Sequence, residues 1–289
     1  MENPTPKLLI ICLLILLLTG CVKLALRVSP SLIPNLTEAF FEECDSDLAR
    51  QSLPADLKLM EGLLKSDPWN RQILTSLCMG FAGYAMLFVE DDDPERASQF
   101  YLRSRAYGLR ALSQNALLLT ELGLEKKIIR ATLLTFEEKE LEALFWTSMS
   151  WNVWISLNLD RPAALAEQDV AMACLKRVLE IRPDYFYGAP HLILGSVLSA
   201  KPGFLGGDSD RAKAHFEKAM SLSGGTFLLV HYYFAKYYAV RAQDKGLFLE
   251  LVREVAGAPA HELQKACLIN TVIKQKMKRL NEMSEELFF

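Results

Sequence analysis

The residues best suited to hold a small molecule fall in three places. Trp151 and Trp154 are three apart and share one face of a helix, while Trp146, five residues before Trp151, turns toward a different neighbour. The segment FLLVHYYFAKYY, residues 227–238, is apolar on more than one face, so part of it must be core. The surplus rings, Tyr233 and Tyr237 among them, offer an apolar wall with polar tips. Arg241 follows Tyr237 by four residues on the same face and supplies a cation for a carboxylate, with a surface ion pair to Asp244 as the competing reading. Lys201 opens the third place, KPGFLGGD, residues 201–208. Glycines before a helix start can cradle a phosphate, but the Lys-Ser/Thr of a P-loop is missing and no strand precedes. The loop reads instead as a tight interhelix turn with Asp208 capping the next helix and Lys201 on its rim. Trp151, Trp154, Lys201, Tyr233, Tyr237 and Arg241 are therefore the candidate ligand contacts.

Nothing in the sequence points to catalysis, a metal or a cofactor. His191, His215, His231 and His261 lie far apart, without H-x-x-x-H or H-E-x-x-H spacing. There is no G-x-S-x-G elbow. The run Asp91-Asp92-Asp93 after Glu90 lacks the alternating ligands and glycine of a calcium loop, and reads as a solvated turn with Asp93 as a helix cap. A net charge of −3 gives no general affinity for nucleic acid. With 289 residues, 51% of them hydrophobic, and only 15 Gly and 12 Pro, the chain has enough apolar surface for a sizeable core.

The N-terminus reads as a processing signal. Lys7 precedes eleven apolar residues, 8–18. That run is shorter than the roughly 20 residues that span a bilayer, and it has the length of a secretory apolar region. It ends in Leu18-Thr19-Gly20-Cys21, which resembles the lipobox of bacterial lipoproteins. The resemblance implies that residues 1–20 are a signal peptide, cut before an acylated Cys21, leaving a periplasmic chain held to a membrane by lipid. A plain secretory signal is the alternative. Val22, not Asp, follows the cysteine, which favours the outer membrane. Residues 21–34, with Ser29, Pro30, Ser31 and Pro34, show no clean period and read as a lipidated tether. Cys44, Cys78, Cys174 and Cys267 each sit in an apolar helical pattern and read as buried free thiols, although an export compartment also permits disulfides.

From residue 35 onward, apolar residues recur at i, i+3, i+4 and i+7. Helices are expected near 35–51, 54–66, 70–89, 94–119, 136–158, 162–181, 186–199, 208–222, 226–242, 244–256 and 259–283, with the weakest pattern over 120–134. Asp93-Pro94, Thr135 with Glu138, and Asp208 are start signals, and Pro183 is a stop. One helix type repeats. Ala171, Leu175, Val178 and Pro183 have the spacing of Ala212, Phe216, Ala219 and Gly224, with a weaker copy at Ala97, Tyr101 and Ser104. The helices before them carry Leu74, Leu77, Cys78 and Phe81; His191, Leu194, Gly195 and Leu198; and Val230, Tyr233, Phe234 and Tyr237. Small residues let two helices approach, a large one fills the gap, and Pro or Gly ends the second so that the next pair can stack. The expected fold is all-α: degenerate tetratricopeptide-like antiparallel helix pairs in one compact array over residues 35–289.

Several stretches resemble a known family, the T component associated with periplasmic TRAP transporters (TatT). They are YFYGAPH at 185–191, KPGFLGGD at 201–208, RAKAHFEKAMSLS at 211–223, FAKYYAVRAQDKGLFLELVREV at 234–255, LKLMEGLL at 57–64 and WTSMSW at 146–151. The resemblance implies a non-enzymatic lipoprotein accessory of a TRAP solute transporter, acting beside the periplasmic solute-binding protein. It also implies self-association, as a trimer, and a pore or cleft open to a small organic acid or apolar ligand. Transport energy would come from an ion gradient, so no nucleotide is needed. The competing reading is a tetratricopeptide lipoprotein that scaffolds outer-membrane or secretion assembly, which calls for a filled interior and a peptide groove.

Overall fold

Capping side chains and close helix contacts set the architecture of this chain. A computed structural model describes residues 31–288 except 114 and 122, so the signal 1–20, Cys21 and most of the tether lie outside the described residues. The described elements are helical, with no strand among them. In order they are α1 (Leu32–Glu42), α2 (Ser46–Ser66), α3 (Arg71–Tyr84), α4 (Pro94–Leu112), α5 (Lys126–Leu134), α6 (Leu141–Ser156), α7 (Pro162–Ala166), α8 (Gln168–Ile181), α9 (Tyr185–Ala200), α10 (Ser209–Ser223), α11 (Leu228–Tyr233), α12 (Lys245–Gly257), α13 (Cys267–Glu282) and α14 (Ser284–Leu287). Wider π turns extend α3 through Ala85–Val89 and α11 through Phe234–Ala239.

Carboxylates and amides start many of the helices. Asp93 accepts the Arg96 N–H at 3.0 Å ahead of Pro94, and Asp208 accepts the Arg211 N–H at 3.0 Å, both as the sequence predicts. Asp45, Asn70 and Asp244 cap α2, α3 and α12 in the same way. The expected Thr135 box is displaced. Thr135 donates to the Thr132 carbonyl, and Glu137 with Glu140 forms the reciprocal cap two residues on.

Helices α9 and α10 run antiparallel, the start of one against the end of the other. At α9 and α10, Gly188 lies against Ala219 and Leu222, and Gly195 lies against Phe216, where a Cβ would come within 3.1 Å of the ring. Ala212, Phe216 and Ala219 are fully buried, and Phe216 stacks on Phe234 of the next hairpin at 4.9 Å. Helices α3, α4 and α6 meet at Gly108, where a Cβ would sit 1.9 Å from Thr147 Oγ1. Beside it, Ser104 donates to the Cys78 carbonyl at 2.6 Å and lies 2.7 Å from Ser150 Oγ, so the buried hydroxyls are satisfied. Residues 71–89 are long and apolar enough to cross a membrane (mean hydropathy 1.6), but 72% of that window is buried inside the body, as befits a core helix.

Several boundaries differ from the sequence reading. The first described helix, α1, starts at Leu32 where one was expected from 35, and Ile33 is only 2% exposed. The expected helix 35–51 divides at Cys44, because Asp45 starts α2, which then runs through Pro54 without a break. Helix α4 stops at Leu112, α5 takes up only the second part of the 120–134 segment, Lys126–Leu134, and α13 begins at Cys267 after two short 3₁₀ turns.

The cysteine reading needs one correction. Cys78 and Cys174 are buried and free, and burial pushes both thiols up to about 12. Cys44, however, lies in the exposed α1–α2 turn and is disulfide-bonded to Cys267, 223 residues away. The bond is possible because α1 packs against α3 and α13, bringing the two ends of the body together. Sequence spacing carries no trace of that proximity.

Candidate functional site

The start of α9 is the most strained backbone described. Phe186, Tyr187 and Gly188 are successively left-handed, with φ of 45°, 60° and 79°. Gly188 suits this conformation, and a Cβ there would also press on Leu222 and Ala219 of α10. Phe186 and Tyr187 have no such freedom, and a residue so placed costs roughly 1–3 kcal/mol unless its surroundings fix it. Here they do. The Phe186 ring lies 5.5 Å from Phe41, 5.6 Å from Trp146 and 5.6 Å from Phe227, so two helices, α1 and α6, and the turn before α11 hold it.

This turn sends Tyr185, Phe186 and Tyr187 into the wall of a cleft of about 530 Å³ formed by α1, α3, α6 and α9. Phe41, Met79 and Ala143 complete the apolar surface. Thr37 and Ser76, 3.1 Å apart, and Thr75 add hydroxyls. The rim carries charges of both signs. Arg71 pairs with Glu140 at 3.1 Å, and Lys265 pairs with Glu38 at 3.0 Å. Burial raises the Tyr185 hydroxyl pKa and, against the pull of Arg71, that of Glu142. The cleft has the size and lining of a small-molecule site: an apolar floor for a carbon skeleton and a polar rim to orient its end.

The six sequence candidates divide between two places. Trp151 and Trp154 share a face, as expected, but it turns inward. Trp151 Nε1 donates to Glu167 at 2.6 Å, and the Arg105 guanidinium, itself paired with Glu167, lies 4.8 Å over the Trp151 ring and 5.1 Å over Trp154. The partner of these rings is an internal cation. Tyr233, 3% exposed, packs edge-on against Tyr237 at 5.0 Å and is likewise core. Lys201, Tyr237 and Arg241 come together in a second cleft of about 350 Å³ at the far end of α9. Arg241 donates to the Ala200 carbonyl at 3.0 Å, while Asp244 caps α12 through the Leu247 N–H at 2.9 Å, so the Arg241–Asp244 pair considered for the sequence gives way to helix termini.

The acidic run also needs correction. Asp93 is the exposed cap, but Glu90 is 5% exposed and accepts the hydroxyls of Tyr101 at 2.5 Å and Tyr237 at 2.8 Å. Asp91 accepts from Tyr232 at 3.0 Å and pairs with Lys236 at 2.6 Å and Lys276 at 2.8 Å. The excess tyrosines of 227–238 thus close a buried polar node against the end of α3. The 530 Å³ cleft escaped the site prediction. Its only signal was the Tyr-Phe-Tyr-Gly run between two prolines, Pro183 and Pro190.

Among the described residues, no group of three or more His, Cys, Asp or Glu side chains is arranged to hold a metal. The described body is all-helical and carries two clefts of ligand size. Residues 42–288 match the TRAP transporter T-component family, and the chain belongs to that family. This is a family of transporter components rather than of enzymes. The chain is also similar to an uncharacterized protein of Treponema pallidum (strain Nichols), 27% identical over 204 residues, 63% of this chain. The matched part spans 62% of that relative's length.

Proposed function

We propose that this chain is a lipid-anchored T component of a TRAP solute transporter. In this reading residues 1–20 are removed, Cys21 carries the lipid, and the body stands on the periplasmic side of the membrane, the outer membrane by the Val22 criterion. The hairpins are degenerate tetratricopeptide-like pairs. They present a flank to the solute-binding protein and associate with other copies as a trimer. Family membership over residues 42–288 supports the transporter role, and the Cys44–Cys267 disulfide fits an oxidising compartment outside the cytoplasm.

The cleft of α1, α3, α6 and α9 is the ligand site in this proposal, taking a small, mostly apolar molecule with its polar end at the rim. The observation that carries it is an open volume of about 530 Å³ walled by Tyr185, Phe186 and Tyr187. A scaffold for outer-membrane or secretion assembly calls for a filled interior at that point. Filling the cleft tests the assignment. Ser76 is half-buried on the wall, and Ser76→Trp is expected to weaken binding of an apolar fluorescent probe such as 1-aminoanthracene at least about tenfold. Unchanged probe affinity in a folded Ser76→Trp protein would count against this cleft.

A further inference from the structure

Helices α9 and α10 each bring one histidine to the edge they share. His191 Nδ1 and His215 Nδ1 lie 2.8 Å apart, with ring centroids at 5.1 Å and planes tilted by 30°. Both residues are half-buried, so the pair is within reach of solvent. The backbones behind the rings are held close. Gly188, three residues before His191, packs on Ala219 and Leu222, and Gly195, four residues after it, packs on Phe216 and Ala212. Two nitrogen donors from two helices are thus set facing each other on a rigid frame. The histidines lie 24 residues apart in sequence, so no ligand spacing announces them.

Two ring nitrogens this close cannot both carry a proton, so at least one Nδ1 presents a lone pair to the other ring. When both rings take the tautomer with hydrogen on Nε2, both Nδ1 lone pairs are free for a metal ion. The separation then selects the ion. With metal–nitrogen bonds of about 2.0 Å, donors 2.8 Å apart subtend about 90°, the cis angle of a tetragonal centre. A tetrahedral zinc ion would need them about 3.3 Å apart. Imidazole suits copper, and Cu(II) stands highest in the affinity order of divalent first-row ions. Lys218 and Arg211, three residues after and four before His215, act electrostatically on His191 and His215 respectively. Both cations oppose a bound metal ion and keep its affinity moderate.

We propose that His191 and His215 form a two-nitrogen site for a tetragonal transition-metal ion, Cu(II) before others, with water in the remaining positions. The bound ion ties α9 to α10 directly after the left-handed turn that presents Tyr185, Phe186 and Tyr187 to the larger cleft. The assignment uses no property of either cleft and does not depend on the transport reading.

Titration of the untagged, lipid-free body with Cu(II) at pH 7.5, followed by calorimetry and by pulsed electron paramagnetic resonance, tests this. One equivalent is expected to bind with a Kd of about 20 µM or tighter, and the spectrum should count two coordinated imidazoles. His191→Gln and His215→Gln keep a polar side chain at the helix edge; each should weaken Cu(II) at least about tenfold and leave one imidazole in the spectrum. Lys218→Gln should tighten binding at least about twofold, a gain that a purely structural histidine pair would not produce. The exposed His261 is the control, and His261→Gln should bind as the parent does. Binding weaker than about 20 µM, a spectrum without two imidazoles, Zn(II) bound more tightly than Cu(II), or undiminished affinity in folded His191→Gln or His215→Gln would each overturn the proposal.

Discussion

Reducing the Cys44–Cys267 bond is expected to lower the stability of the folded body by about 5 kcal/mol. The bond closes a loop over a sequence separation of 223, and the chain-entropy relation puts the stabilisation from so long a loop near that value. The native state gives it firm seats. Cys44 lies in the turn between α1 and α2, Cys267 opens α13, and Gln275 of α13 donates to Ser46 of α2 at 2.9 Å. These contacts persist without the bond, so the reduced protein should still fold. Thermal unfolding with and without reductant, and of the Cys44→Ser/Cys267→Ser variant, should show a fall of roughly 10–20 °C. A fall below about 2 °C would mean that the bond does not constrain the unfolded chain as argued.

Replacing Glu90 by alanine should cost about 3–5 kcal/mol, because it leaves a buried polar node without its anion. Tyr101 is fully buried and Tyr237 half-buried, and both donate to Glu90, while Lys236 lies 3.8 Å away. Glu90→Gln keeps an acceptor and should cost less, and urea unfolding of the two variants measures the difference. The node also gives a pH signature. Burial by itself would raise the Asp91 pKa, but Lys236 and Lys276 outweigh it and hold the carboxyl well below the usual carboxylate range. A carboxyl depressed by folding adds stability that is complete above its unfolded value of about 3.9 and is lost as pH falls below it. His231, 3% exposed, is lowered to about 4 by burial, so its contribution is lost earlier, as pH falls from about 6.5 toward 4. Asp91→Asn should therefore flatten the stability curve below pH 4 and leave the histidine-linked slope above it. An equal slope in both proteins below pH 4 would contradict this assignment.

What the sequence disclosed was local. Asp93 before Pro94 and Asp208 before Ser209 read as caps because a short side chain reaches its own helix start. Ala212, Phe216 and Ala219 read as a packing stripe because helical spacing gathers them on one face. The shared face of Trp151 and Trp154 was equally legible, but not that Arg105 would occupy it, since that cation comes from another helix. The same limit hid the disulfide, whose Cys44 half is exposed, and the burial of Glu90, which depends on Tyr237, 147 residues on. The larger cleft was hidden for a different reason. It depends on left-handed Phe186 and Tyr187, a conformation that local rules reserve for glycine and asparagine.

In the proposed role this chain meets the transporter's solute-binding protein, and sedimentation velocity of the lipid-free body mixed with that protein, from the TRAP system of the same organism, observes the meeting directly. A faster, concentration-dependent boundary, corresponding to a Kd of about 10 µM or tighter, is predicted. Two boundaries that stay independent at about 100 µM of each protein would contradict a role in TRAP transport through that partner.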